Sequence, residues 1–144
     1  MAATIKCYGH AGVHIANGDI TWGTDTVKMS LHTSSYAPSQ GGDEFFSDTT
    51  NEIAAGGGYS SGGFSLASMT RTYDASTREE RYLAADFSTS SLTPASAFRY
   101  AVIYDVTASN ALLAYINFGA DQNPAGLPFA IQWAATGVFY IQAS

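Results

Sequence analysis

The sequence predicts an all-β protein: a single-domain antiparallel β-sandwich or jelly-roll-like barrel with long loops. Three observations carry this. Turn-forming clusters recur along the whole chain: Asn17-Gly18-Asp19, Pro38-Ser39-Gln40-Gly41-Gly42, Gly56-Gly57-Gly58, Gly62-Gly63, Thr93-Pro94 and Asn123-Pro124. Between them lie short stretches of β-branched and aromatic residues, many alternating with period two. No long amphipathic helical pattern and no internal repeat interrupts them. Short strands at regular spacing are the signature of a sandwich or barrel.

Residues 1–20 read as an N-terminal arm or a short irregular element. His10, His14 and Asn17 have helical spacing, but Gly9 and Gly12 weaken a helix. Thr26–His32 alternates, which predicts Val27, Met29 and Leu31 inward and Lys28, Ser30 and His32 toward water. Residues 34–63 form a long loop region. Two strands are expected at about 64–73 and 80–87, the first with Met69, Arg71 and Tyr73 on one face, the second with Leu83, Ala85 and Phe87. Asp74–Glu79 between them reads as a hairpin loop. Phe98–Val106 places Phe98, Tyr100, Val102, Tyr104 and Val106 on one face and Arg99, Ala101, Ile103 and Asp105 on the other. Leu112–Phe118 is apolar on both faces, as a central strand should be. Phe129, Ile131 and Trp133 alternate with Ala130 and Gln132, and Val138–Ile141 closes the chain. The expected core is Val27, Met29, Leu31, Tyr100, Val102, Tyr104, Ile116, Phe118, Ile131 and Trp133.

The 144 residues suffice for one domain with a core that needs neither disulfide nor metal. Charged residues are 12% of the chain and the net charge is −6, against about 25% charged residues in an average soluble domain. Six scattered basic residues on an acidic chain argue against binding nucleic acid, which needs clustered Lys and Arg to displace counterions. A surface poor in charge and rich in Ala, Ser, Thr and Tyr points instead to contact with protein. Cys7 is the single cysteine, so no internal disulfide can form, and it reads as a small buried or interface hydrophobe. The first residues show no leader-like apolar segment and no run approaches 18 apolar residues, so production in a cytoplasm and no membrane association are expected.

Each motif with chemical potential is incomplete. His10-x-x-x-His14 would set two imidazoles on one helix face for a metal, but lacks the Glu of the zinc-protease motif. Asp43–Glu52 holds four carboxylates without the alternating ligands and central Gly of a calcium loop. Gly56–Gly63 lacks the Lys-Ser/Thr of a phosphate cradle. Gly63-Phe64-Ser65-Leu66-Ala67 approaches a nucleophile elbow but ends in Ala. No carboxylate pair is fixed at a separation suited to glycoside hydrolysis. Trp22 and Trp133 with the tyrosines could stack on a sugar, although large aromatics are more often core. The expectation is no catalytic residue, no cofactor and no metal.

Several stretches together resemble a known group. They are Asn17–Trp22, Thr24–Leu31, Thr33–Pro38, Phe46-Ser47-Asp48, Thr50–Ile53, Gly58-Tyr59, Gly62-Gly63, Arg99–Tyr104, Ile116–Gly119 and Ile131-Gln132-Trp133. The chain resembles a widespread family of small tailed-bacteriophage virion structural proteins, over nearly its whole length. It departs near the start, where Gly9, His10 and Gly12 stand in a shorter segment. The resemblance implies a non-enzymatic particle component, most like a capsid decoration (cement) protein on the outer surface of the head. The implied partners are the major capsid protein and copies of itself, as a dimer or trimer on a symmetry axis. A tail, collar or head-fibre component, and a carbohydrate-binding adhesin module on the virion, are the alternatives.

The long loop supplies the expected interface. Tyr36, Phe45, Phe46 and Tyr59 would forfeit roughly 1.5–3 kcal/mol each if left in water. They must therefore pack on the domain or on a partner. The adjoining glycines favour a partner chain, with Asp43, Glu44, Asp48 and Glu52 at the rim.

Overall fold

The computed structural model describes residues 3–144. Ten strands and one helix follow in the order β1 (Thr4–Cys7), α1 (Gly9–Asn17), β2 (Val27–His32), β3 (Phe64–Ser65), β4 (Thr70–Asp74), β5 (Glu79–Leu83), β6 (Phe87–Ser88), β7 (Phe98–Asp105), β8 (Ala111–Gln122), β9 (Ala130–Ile131) and β10 (Phe139–Gln142). They form an antiparallel five-stranded sheet ordered β1-β8-β7-β2-β3, a three-stranded sheet β10-β5-β4 and a two-stranded ribbon β6-β9. The fold is all-β and sandwich-like, as predicted.

The main core lies between the large sheet and the two small ones. Val27, Met29, Leu31, Ala101, Ile103, Leu113 and Ile116 come from one side, and Trp22, Tyr82, Leu92, Phe129, Val138 and Phe139 from the other. Trp22 ties the layers together. Its indole N–H donates to the Leu83 carbonyl at 2.9 Å, and its ring meets Tyr82 and Phe139 edge-on.

The predicted alternation of β2 holds for its inward half only. Ser30 and His32 are fully buried, not exposed to water. The cause is residues 33–53, which fold back across the other face of the large sheet. There Tyr8, Tyr36, Val102, Tyr104 and Leu112 form a second apolar cluster, with Phe46, Tyr100 and Tyr115 against it. Strands β7 and β8 are thus covered on both faces. A period-two pattern cannot reveal this when the second cover comes from a loop.

Two register shifts explain the remaining assignments on β7. The first, between Phe98 and Tyr100, turns Phe98 into the main core against Phe118 and Phe129, while Val102 and Tyr104 stay on the second face. A bulge of this kind reorients side chains without ending the strand. The second, between Ile103 and Tyr104, leaves Leu113 as the extra residue, so the consecutive Leu113 and Ala114 both enter the first cluster while Leu112 enters the second.

The strand expected over 64–73 is two strands, β3 and β4, separated at Ser68, whose φ is 51°. The strand expected over 80–87 likewise divides into β5 and β6. The hairpin turn between β4 and β5 is as expected: the Asp74 carboxylate accepts from the Ser76 N–H at 2.9 Å, an Asx turn. The N-terminal segment is both a strand and a helix. Gly18, at φ 81°, ends α1 in the left-handed conformation and donates to carbonyls of the last turn. Of the expected core, Val27, Met29, Leu31, Val102, Tyr104 and Ile116 are buried. Tyr100, Phe118, Ile131 and Trp133 are half-buried against the two clusters.

Candidate interaction surface

The four aromatics expected to reach a neighbouring chain pack on their own domain. Tyr36 and Tyr59 are each 3% exposed. Phe46 stacks on Tyr104 with ring centroids 4.3 Å apart. Phe45 meets His14 edge-on at 5.5 Å and lies against the main core. The second face of the large sheet takes Tyr36 and Phe46 and the main core takes Tyr59 and Phe45, so all four are satisfied within the chain and the segment around Tyr36 and Phe46 is a cover over that sheet.

The carboxylates assigned to the rim hold this cover down. Asp43 accepts from the Tyr36 hydroxyl at 2.9 Å, which in turn receives the Tyr8 hydroxyl at 2.9 Å. Asp48 accepts the Glu44 and Phe45 N–H groups, and these hold its carboxyl below the usual range. Glu52 accepts the Tyr59 hydroxyl at 2.7 Å and the Gly62 N–H at 2.6 Å. The Tyr59 oxygen also takes the Leu31 N–H at 3.0 Å. Every one of these oxygens is engaged in positioning backbone or tyrosine.

His32 sits beneath the cover. Its Nδ1 lies 2.7 Å from the Thr50 carbonyl, which can only accept, so Nδ1 carries the proton. Nε2 then accepts from the Ser30 hydroxyl at 2.8 Å. Burial lowers the affinity of this ring for a second proton. At the end of β7, Asp105 is fully buried. Its Oδ1 accepts the Ala108 N–H at 3.0 Å, while its Oδ2 has no hydrogen-bonding partner among the described residues. Burial and the adjoining Asp25 carboxyl push Asp105 up to about 7.

Helix α1 does bring His10 and His14 to one side. His14 places Nδ1 2.9 Å from Asp19 and Nε2 3.1 Å from Glu44, and His10 stands 4.0 Å from Glu44. Among the described residues no three His, Cys, Asp or Glu side chains converge as a metal site. Trp22 is buried and unavailable as a sugar platform, while Trp133 is half-buried.

One stretch of exposed apolar surface lies where the sequence pointed least, between the two ends of the chain. Ile5 on β1 is 41% exposed, and Tyr140 and Ile141 on β10 are each 46% exposed. Between these strands runs a cleft of three adjoining pockets of about 200, 160 and 370 Å³. Its first stretch is lined by Ile5, Ile116, Ile131, Trp133 and Val138. Its middle adds Cys7 and Phe139, and its far end is closed by α1 through Ala11, Gly12 and Ile15. Among the described residues no charged side chain lines any of the three, in a chain with 6 basic and 12 acidic residues. Sequence reasoning missed this surface because it depends on which strands end up at sheet edges. The one available signal was the charge-free run Gln122–Ser144.

Both walls are edge strands. β1 borders only β8, and β10 borders only β5. The Tyr8 N–H donates to Leu113 across the ladder, so by alternation the N–H groups of Ile5 and Cys7 point away from β8, toward the open side. The cleft is the mouth of the sandwich, bounded by two strands whose outer main-chain groups lack strand partners. It has an apolar floor, and among the described residues it brings no nucleophile and base together. Comparison of the chain with family models, curated proteins and solved structures yields no match.

Proposed function

We propose that the chain is a non-enzymatic structural protein of a tailed-bacteriophage particle, a decoration protein that docks on the major capsid protein at the outer surface of the head. The observation that carries this reading is the charge-free apolar cleft between β1 and β10. Apolar surface of this kind, rimmed by unpaired strand edges, is a liability unless a partner covers it. The sequence resemblance supplies the particle and the class of partner. The function needs a rigid scaffold and a contact surface and requires no cofactor. The bound protein stabilises the shell because it binds the assembled lattice and not its dissociated subunits, shifting the equilibrium toward the assembled state. Lattice symmetry favours a closed dimer or trimer.

The test is to locate the protein on purified particles by cryo-microscopy and to measure its binding to shells that lack it, with native mass recorded alongside. Density at head lattice points and saturable binding are expected. Density confined to the tail, collar or fibres, or binding to glycans on an array without binding to shells, overturns the reading.

A further inference from the structure

We infer that β4 is a self-pairing edge: two copies of the chain join antiparallel along Thr70–Asp74, and the three-stranded sheet of each copy merges with that of the other. Only the expectation of self-association is taken from the proposed function; the surface and the register come from the fold. β4 is the outer strand of the sheet β10-β5-β4, so alternate main-chain N–H and C=O groups along it point away from β5. Among the described residues no main-chain group of Thr70–Asp74 bonds to main chain outside the β4–β5 hairpin. Thr70, Arg71, Thr72 and Tyr73 are all exposed, on both faces of the strand. Other edges offer less. The Cys7 carbonyl on β1 is taken by the Gln40 side chain at 2.8 Å, β10 runs beside β1 across the cleft, and β3, β6 and β9 have two residues each.

β4 lacks the devices that keep a strand edge single. It contains no proline, and its register with β5 runs unbroken from Thr70 to Asp74. Both of its charges are engaged within the hairpin: Arg71 Nε lies 2.8 Å from Glu80, and the Asp74 carboxylate accepts from Ser76 and lies 3.0 Å from Arg81. The residues themselves select a second copy as the occupant. An antiparallel pair centred on Thr72 has two-fold symmetry. It sets Thr72 opposite the same residue of the copy, Thr70 opposite Asp74, and Arg71 opposite Tyr73. Threonine beside threonine, a hydroxyl beside a carboxylate, and a guanidinium over a tyrosine ring are all favourable cross-strand pairs, and no like charges meet. Tyr73, 63% exposed, gains most. It ends the row Ile141–Glu80–Tyr73 on one face of the sheet, and in the pair that row continues through Arg71 of the copy. Each edge is used up by its counterpart, so association stops at the dimer and builds no filament.

The test is sedimentation of the intact protein over a range of concentrations, joined to thiol cross-linking. A five-residue edge is a small interface, so the mass should double with a dissociation constant that is micromolar or weaker. Thr72→Cys, in a Cys7→Ser background that leaves the introduced thiol alone, places two thiols across the symmetry axis, where facing Cβ atoms stand about 4.5–5.5 Å apart. A short thiol-bridging reagent should join them about tenfold faster than it joins Ser76→Cys at the exposed hairpin turn. Tyr73→Lys sets a lysine opposite Arg71 of the copy and should weaken association about tenfold at low salt. It needs no altered background, and its melting temperature should stay near wild type because Tyr73 is exposed. Leu127→Lys, exposed and outside the hairpin, should associate as wild type. A mass that stays monomeric up to about 1 mM, equal cross-linking at the two cysteine positions, or undiminished association by Tyr73→Lys overturns the inference. So does a monomer whose binding to shells is lost in Tyr73→Lys, since the edge would then pair with the shell. A monomer that binds shells, with or without that loss, leaves the head-protein reading standing, and a dimer that binds none overturns that reading alone.

Discussion

Asp105→Asn should abolish a pH dependence of stability that the wild-type protein carries near neutrality. Asp105 is fully buried, one of its oxygens has no partner, and the Asp25 carboxyl adjoins it. Two carboxylates in such a setting cannot both ionise at low cost, so the folded state keeps a proton that the unfolded chain would release. The carboxyl is pushed from 3.8 up to about 7 in the folded state. A raised carboxyl contributes its full stabilisation below 3.8 and loses it progressively as pH rises toward 7. Across that window the loss is on the order of 2–4 kcal/mol for the pair. Asparagine keeps the bond from the Ala108 N–H through its carbonyl oxygen and can donate to Asp25 at any pH. Urea unfolding at pH 5 and pH 8 measures the effect. Wild type should be the less stable at pH 8. The variant should change by less than about 1 kcal/mol and exceed wild type at pH 8 by about 2 kcal/mol. Parallel profiles for the two proteins, or a wild type that gains stability between pH 5 and 8 relative to the variant, would refute the shared-proton argument.

Four further expectations follow from the cover over the second face, from the turn before β3 and from α1. His32, buried and held neutral, should titrate below 6.5 in a ring-proton nuclear magnetic resonance series. Its contribution to stability is complete above 6.5 and is lost as pH falls through its lowered value, so His32→Gln should show a weaker acid transition than wild type. Phe46→Ser removes the stack on Tyr104. It should cost about 2–4 kcal/mol, with new proteolytic cleavage within 33–53 and unchanged native mass; a change in mass would return that segment to an interface. Gly63, at φ 89°, holds its α-carbon against the main chain of Met29. Gly63→Ala should therefore destabilise by more than about 2 kcal/mol in thermal unfolding, whereas Gly12→Ala, with open space around it on a helix, should stabilise by about 0.5–1 kcal/mol.

The strands with clean alternation or uniformly apolar character were legible from residue pattern, because burial on at least one face writes itself into the sequence. β2, β7 and β8 are of this kind; the β4–β5 hairpin, whose first strand buries no residue, was legible from its turn residues Asp74–Glu79 instead. Ser30 and His32 were not legible as buried residues. Their burial depends on Tyr36 and Phe46 arriving from a segment whose glycines and carboxylates read as solvated. The same segment's aromatics were correctly judged too costly to leave in water, but residue type alone does not say whether the partner is another chain or the far face of the chain's own sheet. The cleft was illegible for a related reason. Ile5, Cys7 and Tyr140 are ordinary strand residues until the topology leaves their strands at adjacent sheet edges.

The pairing of β1 with β8 joins Thr4 to Asn117 and Cys7 to Ala114, and this imposes a timetable on synthesis. At roughly 5–20 residues per second, the first strand emerges and then waits roughly 5–20 s for its only sheet neighbour to be made. During that interval Thr4–Cys7 has both main-chain edges open, and Ile5 has nothing to pack on. The β7–β8 hairpin, closed by the short turn over residues 106–110, can form as soon as it leaves the ribosome, and it then presents the template on which the early strand condenses. Such long-range closure makes for slow folding. Lys6 at the centre of the waiting segment supplies the charge that discourages that strand from pairing with another nascent copy before its own partner appears.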